Sequence, residues 1–347
     1  MLLSIPALLF YKLYPGGNTT LLVHDNTLVP KPDTATAASS RASIACELMN
    51  ADKDIEQVGF INTSAYAAAR ADKDVAHKAY TVPHMVMMGG EFCINACRSA
   101  ALVFALTKLL PEVACAEDGK ATAWEGVITT SGVQGNLPVR VRVAEGQQST
   151  DTPVALQTLT SYDAAVALEL PEDATTTWVS HIAPGETVVK LPGITHLLLD
   201  AKVFPLPQDA VSFAAAKRHE HNLDKDEAAG VIWYRPEASG LGVYSITPIV
   251  RVKATDSSVM ETACGSGSLA LALLLAPDAR EKTPFTVRQP SGASICVFFE
   301  TTEVFTEAKA TQASECMETS KQSRSEQCFR AWIDGPIHLV EEGMLSR

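Results

Sequence analysis

A chain of 347 residues exceeds the usual single core, so two domains are expected, and 46% apolar against 20% charged residues excludes disorder. A net charge of −12, with basic residues dispersed and never in a run, excludes nucleic acid as a partner, because nothing is arranged to displace phosphate counterions. Eight cysteines with no CxxC pair are too sparse for a disulfide scaffold and lack zinc spacing, so a reduced, cytoplasmic chain without a structural metal is expected.

From Met1 to Lys31 short apolar runs flank a Pro-Gly-Gly-Asn turn, which predicts strand, turn and strand. No basic segment precedes the apolar start, as a signal peptide would require, and no apolar stretch reaches the ~20 residues of a bilayer span. No membrane partner is expected. The Ala- and Ser-rich segment Thr34–Asn50 predicts a short helix, followed by strands at "QVGFI" and "PHMVMM". Then comes "GGEFCINACRSAALVFALTKLLP", from Gly89 to Pro111, a cysteine-headed apolar helix stopped by proline. Between Trp124 and Ser180 β-branched residues with Gly and Pro punctuation predict further strands, "PVALQTLT" among them, and "ETVVKLPGITHLLLD" reads as two strands around a Pro-Gly turn. "HEH" at His219–His221 has an i, i+2 spacing that puts both imidazoles on no common helical face, so it is read as a solvated loop and not as a metal site. More strands follow at "GVIWYRP" and "GVYSITPIVRVKAT", then a second cysteine-headed helix, "ETACGSGSLALALLLAP", from Glu261 to Pro277. "FTVRQPSGASICVFFE", a polar stretch Thr306–Glu326 and a last strand "GPIHLVEEG" complete the chain.

Strands dominate, and the two helices are apolar on nearly every side. A helix without a polar face must be buried all round. The expectation is therefore an α+β fold of two pseudo-symmetric domains, each a β-barrel-like curved sheet around one central helix. The boundaries are placed at 1–134 and 135–332, with the final strand 333–347 returning to the first domain.

Each helix start carries the chemistry. A cysteine there lies beside unpaired backbone N–H groups and the positive end of the helix dipole, which favours thiolate and predicts a thiol pKa below the free value of about 8.5. Gly265, Ser266 and Gly267 let N–H groups approach an anion closely, and Asn95 is the expected cap of the first helix. Two facing starts would bind a carboxylate with its α-carbon between two sulfurs. One thiolate could remove the α-proton while the other thiol protonates the opposite face, with no metal or pyridoxal phosphate. Cys46, Cys115, Cys296, Cys316 and Cys328 lack that context and are read as small buried hydrophobes. Glu91 and Glu261 either tune the thiols or cap the helices. Arg98 is expected to anchor the first helix through a carboxylate of the other domain. His84 either meets the substrate or packs in its strand.

These motifs resemble those of the diaminopimelate epimerases. "CINACR" at Cys93–Arg98 is similar to their CGNGxR motif, "ETACGSG" at Glu261–Gly267 to GETxACGTG shortened by one residue, "PGITH" at Pro192–His196 to GNPH, and "PGGNTTLLV" at Pro15–Val23 to GLGNDFVVV. The resemblance implies a site in the cleft between the two domains, with Cys93 and Cys264 as the bases, Asn18, Gln57 and Asn95 on the substrate, and His196 near a thiol. It also implies a homodimer. Glu261, Gly265, Ser266 and Gly267 complete the expected substrate-binding set. The family's Glu-Arg pair, which grips the far end of its long substrate, is missing: that stretch reads Ala254-Thr255-Asp256-Ser257. Without a bidentate Arg clamp a shorter or uncharged side chain fits better. "GGEFCxNAxR" with "GNTT" and "PGITH" looks most like the branch that racemises histidine for metallophore synthesis. Diaminopimelate epimerase and a non-catalytic amino-acid-binding relic are the alternatives.

Overall fold

The computed structural model describes residues 8–26, 28, 35–64, 82–114, 122–144, 159–238, 242–276, 284–306 and 324–345. Residues 1–7, residues 153–158 of "PVALQTLT", Cys115, Cys316 and most of the polar stretch lie outside the described residues. Strands of the first half are β1 (Leu8–Tyr14), β2 (Thr20–His24), β3 (Gln57–Ile61), β4 (His84–Met87), β5 (Glu112–Ala114), β6 (Thr122–Thr130), β7 (Leu137–Val143) and β8 (Ser161–Leu170). The second half supplies β9 (Val179–Ala183), β10 (Glu186–Leu191), β11 (Ile194–Asp200), β12 (Ala228–Pro236), β13 (Val243–Val252), β14 (Ser257–Met260), β15 (Phe285–Arg288) and β16 (Ser294–Thr306). The chain ends on β17 (Arg324–Leu345). Helices are α1 (Ala35–Ala51), α2 (Ile94–Leu106), α3 (Ala174–Thr177), α4 (Ala210–Glu220) and α5 (Gly265–Leu275).

The pairings β1–β2, β2–β3, β3–β4, β4–β6, β6–β7, β7–β8, β8–β17 and β17–β1 close a ring. Inside it runs α2, in contact with all eight of those strands. This is why α2 carries no polar stripe: every residue from Ile94 to Ala105 is buried. Each of its larger side chains gains roughly 1.5–3 kcal/mol from that burial. The second sheet, β9-β10-β11-β12-β13-β15-β16-β17, curls around α5, which touches β10 to β13, β16 and β17. The two central helices also touch each other, and one apolar core runs through both halves.

β17 belongs to both sheets. Its 22 residues pair in turn with β16 (Arg324–Asp334), β8 (Phe329–His338) and β1 (His338–Leu345). The expected boundary after residue 134 falls between β6 and β7, which pair with each other. One sequence reading is corrected. The region of His219–His221 ends helix α4, with Asp209 capping its start through Ser212 N–H, and is not a loop. "AVSFAAAKRHE" mixes small, apolar and charged residues without a clear stripe, so its helicity rests on packing against β12 and β13.

Candidate active site

Both cysteines sit where the sequence places them, each as the residue before its helix. Cys93 (φ −126°, ψ 113°) precedes α2 and Cys264 (φ −136°, ψ 104°) precedes α5, both extended as a helix cap must be. The two helix starts meet. Asn95 Nδ2 donates to the Ala263 carbonyl at 3.1 Å, while its Oδ1 accepts from Arg98 at 3.1 Å. Asn95 therefore ties one helix start to the other; it is not the expected cap, because it stands one residue inside the helix. The approach is close enough that a Cβ on Gly265 would meet Ile94 Cγ2 at 2.7 Å.

A single pocket is lined by Cys93, Cys264, Asn18, Gln57, Asn95, Glu261, Gly265 and Ser266, together with Glu56, Glu91, Phe92, Ser257 and Val259 among others. The Cys93 thiol donates to Gln57 Oε1 at 2.7 Å, and Gln57 donates to Thr20 Oγ1 at 2.6 Å. Cys264 Sγ accepts from Gly267 N–H at 3.3 Å and lies 3.5 Å from Ser266 Oγ, which is 2.9 Å from His196 Nε2. His196 and Gly267 thus support the second thiol from behind and do not line the pocket. Asn18 stands in the left-handed region (φ 53°), its N–H bonded to Thr262 Oγ1 at 2.6 Å. Its Oδ1 is buried without a partner, an acceptor free for a ligand ammonium. His84 is outside the pocket, at the start of β4, 2.9 Å from Thr129 Oγ1.

Burial governs the titrations, and it reverses the expected fall in thiol pKa. Both thiols are pushed up, first by desolvation and then by the nearby Glu261 charge; the N–H groups of Ala96 and Gly267 only partly offset this. Desolvation also raises Glu91 to about 7 and Glu261 to about 8, and lifts Glu56 above its ordinary value. Glu261 shares a hydrogen bond with the Cys264 thiol, and Glu91 Oε2 accepts from Gly89 N–H at 2.8 Å. His196, wholly buried, falls to about 3 and is neutral. Arg98 is buried too, but it donates to carbonyls of Pro15, Ala164 and Pro336 and not to the expected carboxylate.

Three contributors carried no clear sequence signal. Glu56 accepts from Thr262 N–H at 2.9 Å and from its hydroxyl, and Gln289 Oε1 accepts from Cys264 N–H at 2.8 Å. Each contact joins residues far apart in the chain, although Glu56 adjoins Gln57 and Thr262 lies inside the second cysteine motif. Among the described residues, the one group with three possible metal ligands in reach is Glu186, Glu220 and His221. Lys217 Nζ already bridges its carboxylates at 2.5 and 3.0 Å, and none of these residues lines the thiol pocket. No described helix is long and apolar enough to cross a membrane.

The family model described as histidine racemase CntK N-terminal domain matches residues 7–313. No curated protein matches the sequence. Among solved structures the chain is similar to a probable proline racemase from Agrobacterium radiobacter with bound carbonate, at 12% identity and a TM-score of 0.53, covering 97% of this chain and 92% of that one. It is also similar to a hydroxyproline epimerase from Agrobacterium vitis with bound trans-4-hydroxy-L-proline, at 10% identity and a TM-score of 0.50, covering 98% and 93%. At such identities the likeness concerns the fold, two sheets each wrapped on a central helix.

Proposed function

The chain belongs to the histidine racemase CntK N-terminal domain family, and from that premise we propose that it interconverts L- and D-histidine with Cys93 and Cys264 as its two bases. The family is one of cofactor-independent amino-acid racemases, and the protein is an isomerase. The observation that carries the finer reading is that two thiols, each heading one of two touching helices, line one pocket.

The substrate carboxylate binds the free N–H groups at the helix starts, where negative charge spreading from the α-carbon is also stabilised. Asn18 Oδ1 receives the ammonium. In the fraction of molecules with Glu261 ionised, the Cys264 proton passes to its carboxylate, which shares a hydrogen bond with that thiol. The Cys264 thiolate then takes the α-proton, and Cys93 gives its own proton to the other face. Sulfur ends protonated at Cys264 and ionised at Cys93, ready for the reverse direction. Glu56, Glu91 and Glu261 line the pocket, and no Arg or Lys is among its lining residues. That lining suits a basic imidazole and offers no clamp to the distal carboxylate of diaminopimelate. A cytoplasmic homodimer accompanies this reading, and light scattering on the purified protein would measure its mass.

The test is a panel of L-amino acids incubated in heavy water and analysed by chiral chromatography and mass spectrometry. Histidine should racemise and gain one deuterium at the α-carbon. Cys93→Ala and Cys264→Ala should each lower kcat by about 10³-fold or more, and serine at either place should be nearly as severe, since a hydroxyl is a far weaker acid. Racemisation that survives both alanine changes ends the two-thiol mechanism; racemisation of another amino acid in place of histidine moves the substrate alone.

A further inference from the structure

A second cavity, of about 360 Å³, adjoins the thiol pocket. Glu56, Ser257 and Val259 line both spaces and therefore form the wall between them. The thiol pocket itself measures about 30 Å³, room for two or three waters at ~10–15 Å³ each. Ligand pockets begin at about 300 Å³. The inner space thus has the reactive groups without the room, and the outer one has the room without the paired thiols.

We propose that the outer cavity is the antechamber through which the amino acid reaches the thiols, and that the β13–β14 hairpin, with Glu56 opposite, is the partition that moves to admit it. The proposal rests on the racemase reading for what is admitted, though not for the route. The hairpin is built for limited movement. Only Ile249–Val252 and Ser257–Met260 pair in it, and its turn passes through Asp256 in the left-handed region (φ 48°). Across the antechamber, Cys46 of α1 approaches the Thr255 carbonyl at 3.8 Å, a weak thiol hydrogen bond. Within the turn Thr255 Oγ1 lies 2.8 Å from Ser257 Oγ, so Thr255 and the partition residue Ser257 are joined. The antechamber carries charge of both signs, Glu56 and Asp256 against Lys53, with Asp256 also 3.7 Å from Arg251, so it is a polar passage that an amino-acid zwitterion can enter.

Filling the antechamber should close the route. Cys46→Trp places an indole inside it and Cys46→Ala serves as the size control; Asn50→Trp, at an exposed helix-end position on the same wall, covers the case in which the first variant does not fold. Iodoacetamide is the probe, and mass spectrometry follows alkylation of Cys93 and Cys264 individually. Both Trp variants should slow that alkylation by about tenfold relative to Cys46→Ala and wild type, and kcat/KM for histidine should fall in step. Unchanged alkylation in a folded Trp variant overturns the proposal. Slowed alkylation in a protein that racemises no amino acid leaves the route standing and removes the histidine reading instead.

Discussion

Gly265→Ala is the sharpest test of how closely the two helix starts must approach. Gly265 has no positive φ, so its backbone accepts alanine; only the space forbids it. The added Cβ would lie 2.7 Å from Ile94 Cγ2 and 2.9 Å from Asn95 Oδ1, where ordinary contact begins at 3.4 Å. Moving from 2.7 to 3.4 Å demands a retreat of about 0.7 Å. Ile94 and Gly265 each directly follow a cysteine, so the retreat separates the two sulfurs. Overpacking of this kind costs about 1–3 kcal/mol, against which alanine returns up to ~1 kcal/mol of helix propensity. Stability should therefore fall by roughly 3 kcal/mol at most, a Tm loss of a few degrees in a chain of this size. Catalysis depends on placement far more steeply, because a displacement of about 1 Å costs on the order of 10²-fold in rate. The assay pairs calorimetry with racemisation kinetics on one preparation. A variant with wild-type kcat/KM would refute the argument that α2 and α5 set the sulfur separation.

The pH dependence of stability should show two opposing slopes, read from urea midpoints across the range. Glu91 and Glu261 are raised to about 7 and about 8, so the folded state holds protons that the unfolded chain loses above about pH 4.5; stability falls as pH rises towards 8, and Glu91→Gln should flatten the lower part of that fall. His196, depressed to about 3, acts in the other direction: stability falls as pH drops from about 6.5 towards 3. Gln57→Ala removes both the Cys93 acceptor and the buried donor to Thr20 Oγ1, and should lower kcat by about tenfold while costing about 1–3 kcal/mol of stability. Arg98→Met strips the donors from three backbone carbonyls, at about 1–3 kcal/mol for each group left unpaired, and should drop Tm sharply or prevent soluble expression.

The helix starts were legible in the sequence because their signal is local: an acidic residue, a cysteine, a small polar turn and an unbroken apolar run. From that run alone followed the sheets wrapped around α2 and α5. Asn95 was misplaced because an Asn two residues beyond a cap looks like the cap itself, and only its bond to Ala263 shows the bridging role. Glu56, Thr262 and Gln289 were invisible for another reason. Their partners are non-local, so no spacing rule connects Glu56 to Thr262 or Gln289 to Cys264. The thiol pKa shift failed for a third. Dipole and N–H effects belong to the helix start and can be read from sequence, whereas desolvation belongs to the whole surrounding fold and here outweighs them.

β17 has a consequence for how the molecule is made. The ring around α2 closes through the pairing of Leu8–Tyr14 with His338–Leu345, the first and last described stretches of the chain. A nascent chain cannot close the ring around α2 when its first strands emerge from the ribosome, since β17, which completes that ring, is translated more than 300 residues later. A pairing of such large sequence separation gates the closure of that ring and should make refolding slow.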